Sequence, residues 1–216
     1  MAIHATELAV INKALTNLGM KRITSSDLSG DLNKAARLVN ATYENLRNSL
    51  LQDHPWNFAI FRADVTKNAY TPEFDFLYAY DFPNGTTPAS KPAALRILEV
   101  DEKPYWSWRS GGWFLEPSLH DWKVENNQIL SDHDTPLSIK YIGLVTDTAE
   151  MTPMFTDLLA EMCAMEWVES LTSSNSLAER IERRFSAKLR EARSIDAQEG
   201  IPDELETHYW ISGRLV

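Results

Sequence analysis

The run from Ala35 to Leu51, brought up short by His54-Pro55-Trp56, constrains the fold more than any other stretch of the chain. Leu32, Ala35, Ala36, Val39, Tyr43, Leu46 and Leu50 recur at helical spacing and form one apolar stripe, with Lys34, Arg37, Glu44 and Arg47 off it. A helix hides such a stripe only by packing it on another surface. Pro55 has no N–H to give a helix and pushes His54 towards an extended conformation. The helix therefore stops there, and the apolar period changes.

After Pro55 the pattern is of short strands separated by Pro, Gly and Asn. Residues 56–62 read as a strand, 76–82 as a second that Pro83-Asn84-Gly85 ends, and 95–100 as a third. Residues 122–125 and 128–131 flank Asn126-Asn127. Asparagine tolerates the left-handed backbone of a two-residue hairpin turn, so this is the clearest hairpin in the chain. A further strand covers 137–144. Helical spacing returns after Asp147. Thr152 is placed to cap and Pro153 suits a first turn. Phe155, Leu158, Leu159, Met162, Cys163, Trp167 and Leu171 mark the buried face of that helix. Ser176 and Glu179 have the spacing of a capping box for a last helix, which turns Leu177, Ile181, Phe185, Leu189 and Ala192 inward. At the front of the chain, Leu8, Ile11, Leu15 and Leu18 predict a helix closed by Gly19, followed by a polar connector over 20–30.

Helices, then strands, then helices predict an α+β fold, because a doubly wound parallel sheet would need strands and helices to alternate. The expected architecture is a helical bundle formed by both chain ends (1–55 plus 148–197), an inserted antiparallel β-rich domain (56–147) and an extended C-terminal tail (198–216). A chain of 216 residues is long enough for this. No stretch approaches the ~20 apolar residues of a membrane span, and residues 1–10 do not read as a signal peptide. A single cysteine, Cys163, excludes a disulfide framework within one chain. The net charge of −10 argues against direct phosphate binding, which needs Lys and Arg.

Groups that carry chemistry are sparse in context. His120-Asp121 and Asp132-His133-Asp134 set carboxylates beside imidazoles, but neighbours on a strand point to opposite faces, and both clusters border loops. No Gly-x-Ser-x-Gly run occurs. Ser110-Gly111-Gly112 is not followed by a helical pattern, as a nucleotide loop would be. The expectation is no catalytic centre, no metal and no cofactor. Tyr105, Trp106, Trp108, Trp113, Phe114 and Trp122 form an aromatic group. It reads as core of the inserted domain, as a subunit contact, or as a sugar-stacking platform. Arg180, Arg183 and Arg184 are interleaved with Glu179 and Glu182, and Lys188, Arg190, Glu191 and Arg193 continue the run. Such mixed charge marks a solvated face or the edge of a contact between subunits. After Gly200 and Pro202, Leu205, Tyr209, Trp210 and Leu215 give the tail apolar groups that are costly to leave in water. It either folds back or docks on a partner.

Two runs, Ala35 to Ala59 and Ala187 to Gly200, together with the order and spacing of the runs from Leu15 to Leu215, resemble the tail tubular protein A family, the head-to-tail adaptors of short-tailed bacteriophages. Gly200-Ile201-Pro202-Asp203-Glu204-Leu205-Glu206, then Trp210 and Arg214-Leu215, match that family's acidic-then-Trp tail. The chain departs from it around 101–121, where 104–117 is unusually aromatic. The resemblance implies helices at 5–18, 31–53, 153–171 and 176–197 that pack side by side with copies of the chain. It further implies a twelve-fold ring beneath the portal protein, a tail nozzle resembling tail tubular protein B below it, and DNA passing through the lumen without specific binding. The expected location is the virion tail, assembled in the bacterial host cytoplasm, with no membrane. From another class, the aromatic group suggests a glycan-binding or glycan-cleaving tail component.

Overall fold

The computed structural model describes residues 5–30, 33–85, 91–101, 105–109, 112–116 and 122–199. Over these residues the chain is mixed helix and antiparallel sheet, an α+β architecture. Helices α1 (Ala5–Asn17), α2 (Ser25–Ser29) and α3 (Lys34–Asp53) come first. Strands β1 (Ile60–Val65), β2 (Tyr78–Asp81), β3 (Ala94–Asp101), β4 (Tyr105–Arg109), β5 (Gly112–Glu116), β6 (Lys123–Glu125), β7 (Gln128–Ser131) and β8 (Leu137–Gly143) follow. Helices α4 (Pro153–Thr172) and α5 (Asn175–Gln198) complete the described chain.

The long helix begins where Asn33 accepts the Ala36 N–H at 2.8 Å and ends with His54 extended before Pro55. The stop is folded back on itself. Trp56 is buried and its indole N–H donates to the Leu50 carbonyl at 2.9 Å. Its ring meets Phe155 edge-on with centroids 5.2 Å apart. That burial corrects the strand expected over 56–62: Asn57–Ala59 is a 3-10 turn, and pairing starts only at Ile60. The connector expected over 20–30 contains α2, because Thr24 accepts the Asp27 N–H while the Asp27 carboxylate accepts the Thr24 N–H at 2.7 Å. The Thr24 hydroxyl and, after it, the Thr24 N–H donate to the Asp27 carboxylate and hold that carboxyl below the usual carboxylate range.

Two further expectations are corrected. Arg47, read as off the stripe, is 3% exposed and pairs with the equally buried Glu7 of α1. It lies one turn after Tyr43 and therefore shares its face, and only a countercharge makes that tolerable. The capping box of Ser176 and Glu179 does not form. Ser173 takes a left-handed φ of 51°, which starts α5 already at Asn175, and the Glu179 carboxylate is held by Arg183 at 3.1 Å. By contrast Thr152 caps α4 through the Phe155 N–H, with Pro153 in the first turn.

Helix α4 packs against α1, α3 and α5. Phe155, Leu158, Leu159, Cys163, Ala164 and Trp167 are fully enclosed, whereas Met162 and Leu171 are only partly buried. The Trp167 N–H donates to Thr42 at 2.8 Å, which satisfies the one polar atom of a buried indole.

The strands form a β1-β8-β3 sheet, a β2-β7-β6 sheet and a β4-β5 ribbon, with the described pairings antiparallel. Ile142 of β8 enters the helical core, while Leu137, Ile139 and Tyr141 on the other face join Tyr80 and Ile129 of the second sheet. β3 carries two register irregularities, which let Ile97 and Val100 both serve that second core. Asn126 and Asn127 have φ of 48° and 61°, the pair of left-handed residues that the β6–β7 turn requires. A methyl at Gly143 would stand 2.4 Å from Pro92 and 2.5 Å from Phe61, so the strand end needs glycine.

Candidate interaction surfaces

Helix α5 rests on α4 through Ile181 and Ala192, with Leu177, Phe185 and Leu189 partly covered. Its charged residues divide. Glu179, Arg180, Glu182 and Arg183 are exposed, and the Arg183–Glu179 pair is water-accessible on both sides. Glu179, Glu182 and Arg183 line a shallow depression with Ser186 and Arg190. Arg184 turns away from this group. Its guanidinium pairs with Glu161 of α4, a carboxylate with no solvent exposure. Lys188 reaches the same Glu161 oxygen at 3.2 Å, and Asn17 of α1 at 3.3 Å. The other oxygen, Oε2, has no hydrogen-bond partner among the described residues. Glu161 escaped the sequence reading because it lies in a face otherwise made of Leu, Ala and Cys. The only hint was its spacing from Leu158 and Ala164.

Further along, Asp196 is 8% exposed and ties three elements together. It accepts the Asn57 N–H at 3.0 Å, lies 3.2 Å from His54 Nε2, and gives its own carbonyl to the Asn57 amide at 2.6 Å. Arg193 pairs with Asp53 one turn earlier.

Backbone register places positions 106 and 108 of β4 opposite 115 and 113 of β5, so Trp106, Trp108 and Trp113 belong to one face of that ribbon. Among the described residues β4 and β5 pair only with each other. His120 and Asp121, and the tail residues Leu205, Tyr209, Trp210 and Leu215, lie outside the described residues.

The second His–Asp cluster is described. Asp132 accepts the Leu77 N–H at 3.0 Å, and Asp134 accepts from Lys67 at 2.8 Å and from the Thr135 N–H at 2.7 Å. The Lys67 hydrogen bond holds the Asp134 carboxyl below the usual range. Tyr80 bonds the His133 carbonyl, and burial pushes its phenol up to about 12. These carboxylates are occupied in fixing a turn. No group of three or more metal-ligating side chains converges among the described residues. Nor does any helix there have the length and apolarity to cross a membrane.

Two surfaces had no signal in the sequence. Tyr70, Phe74 and Leu77 stand out of the segment between β1 and β2, Phe74 with 77% of its surface exposed. Asp75, at φ 67°, turns the chain so that the Phe76 N–H reaches the Phe74 carbonyl at 2.9 Å. The other surface is a polar depression of 370 Å³ on the β1-β8-β3 sheet, where Arg62, Lys91 and Lys140 meet Asp64, Glu99 and Ser138. Its members come from three strands and a loop, and alternation alone does not tell which of them share a face.

No protein-family model matches this chain, and no curated protein matches it.

Proposed function

We propose that this chain is a structural virion protein, a ring-forming head-to-tail adaptor of the tail tubular protein A type that joins a portal to a tail nozzle. The observation that carries the reading is the order and spacing of its helical and strand runs from Leu15 to Leu215. In this reading α1, α3, α4 and α5 are a bundle built from both chain ends, standing side by side with neighbouring copies. Residues 56–147 are the β-rich insertion, and 198–216 dock on the portal with Trp210 as anchor, since buried Trp dominates interface energetics. A closed ring needs two different, complementary surfaces on each subunit. The exposed Glu179, Arg180, Glu182 and Arg183 supply a candidate for one. A net charge of −10 suits a lumen that passes DNA without gripping it.

The test is assembly. The purified chain is expected to be monomeric or weakly associated alone and to form a ring when mixed with portal particles, read by native mass spectrometry and electron cryo-microscopy. A chain that leaves portal particles bare at micromolar concentration overturns the reading. Deleting residues 203–216 is expected to leave a folded chain that no longer joins filled heads to tails.

A glycan-binding or glycan-cleaving tail component is the second reading. It is favoured by the register that sets Trp106, Trp108 and Trp113 on one face of a ribbon. Quenching of Trp fluorescence by host-surface polysaccharide, lost in Trp108→Ala, would support it.

A further inference from the structure

Helix α5 is joined to α4 by a hinge of two residues, Ser173 and Ser174. Ser173 has φ 51° and ψ 29°, the left-handed conformation that costs a residue with a Cβ about tenfold or more in population. Support for the bend is thin at the bend itself. The Ser174 side chain accepts no capping hydrogen bond from α5. Inside the elbow, Met165 and Val168 of α4 and Ala178 of α5 line an unfilled depression of 420 Å³.

What holds α5 down lies further along it. Ile181 and Ala192 are sealed on the helical core, Arg184 and Lys188 reach Glu161, Arg193 reaches Asp53, and Asp196 takes the Asn57 N–H. The three cations stand partly in water, so these pairs open readily. Each partner named here precedes the hinge in sequence. A second copy of the chain therefore offers α5 the same apolar seat and the same carboxylates. A short hinge under strain, carrying an element whose seat lies wholly on the other side of it, is the arrangement that favours exchange between copies.

We propose that α5 is an exchangeable arm: Ser173 leaves the left-handed region, and α5 of one copy docks on α4 of a second copy. The closed and exchanged forms share the α4–α5 contacts. They differ at the hinge and in the association of the chains, and relief at Ser173 favours exchange once for every arm. Arm and seat are two different surfaces, so exchange carried from copy to copy can also close a ring. The proposal stands without the adaptor reading, and its test uses the chain alone.

Isotope-labelled and unlabelled chains are mixed equally, unfolded together in urea, refolded at high micromolar concentration, separated by size and cross-linked with carbodiimide. Lys188 lies 3.9 Å from Asp157 across α4 and α5, and Lys13 pairs with the same Asp157 across α1 and α4. In the associated fraction, Lys188–Asp157 links should join different isotopes as often as the same one, while Lys13–Asp157 links stay within one isotope. Ser173 is exposed, so its replacement leaves the core alone. Ser173→Val puts a β-branched residue where φ is positive and should strengthen association; Ser173→Gly removes the strain and should weaken it. The two association constants should differ roughly a hundredfold, since two hinges act in each pair. Should Ser173→Val not refold, Ser173→Thr keeps the hydroxyl, adds the branch and makes the same comparison. Associated chains whose Lys188–Asp157 links stay within one isotope would overturn the proposal. So would a branched variant that remains monomeric, or one that associates no more strongly than Ser173→Gly.

Discussion

Helices α4 and α5 follow one another across a single left-handed serine, yet they solve opposite problems. Nine residues of α4 are buried, from Phe155 to Val168, and they point to several sides of the helix because α1, α3 and α5 enclose it. Only Ile181, Ala192 and Asp196 are buried on the longer α5. The difference shows why the charged run on α5 has two meanings at once. Arg184 and Lys188, one turn apart, lie at the edge of the α4 contact, partly in water, and answer the carboxylate that α4 buries. Arg183 faces water and pairs, among the described residues, with Glu179. A charge run on an amphipathic helix must therefore be split by helical phase before any of it is assigned to an interface.

The comparison is broken most sharply at Cys163. Burial pushes its thiol well above the usual range, so the native chain offers almost no thiolate. Alkylation should proceed only through global opening, at least about a thousandfold slower than for a free thiol if the domain has ordinary stability. A cysteine placed at Arg183 should label at the free rate. Equal rates at the two positions would deny that α4 is enclosed. Next in size, Trp167→Ala removes a fully buried indole and its bond to Thr42, for an expected loss of about 3–5 kcal/mol in urea unfolding.

Third comes the buried carboxylate. Arg184→Ala with Lys188→Ala strips Glu161 of both cations and should cost about 2–4 kcal/mol, less than for a wholly buried pair because both cations are partly in water. Adding Glu161→Leu should recover most of that loss; if it does not, packing rather than charge is the cause. The smallest effect belongs to the outer face. Arg183→Glu should leave unfolding within about 0.5 kcal/mol of the wild type, since exposed pairs contribute little. Ring formation on portal particles is the sensitive measurement there. With Arg180→Glu added, unchanged assembly would remove this face from the contact.

Much of this architecture was legible. Thr152 and Pro153 announced α4, Asn126-Asn127 announced the β6–β7 turn, and Pro55 announced the end of α3, because each acts through its own backbone. What escaped depended on partners distant in sequence. Arg47 and Glu7 look solvent-bound until α1 and α3 are brought together. Trp56 reads as part of a strand in the sequence because its pull into the helical core is a tertiary effect. The same limit applies to the surfaces. The charged stretch on α5 was visible as a local run, but its division needed α4. The depression at Arg62, Lys91 and Lys140 needed strand register that composition does not supply.

The pairing of α1 with α4 also bears on how the chain is made. Lys13 and Asp157, which bind each other across those helices, stand 144 positions apart. At an elongation rate of ~5–20 residues per second, α1 leaves the ribosome roughly seven to thirty seconds before α4 exists. Through that interval Ile11, Ala14 and Leu15, all fully enclosed in the finished protein, have no α4 to cover them. The nascent chain is therefore most open to chaperones and to mispairing while its strands are being synthesised, and a ribosome stall before Pro153 should leave an aggregation-prone product.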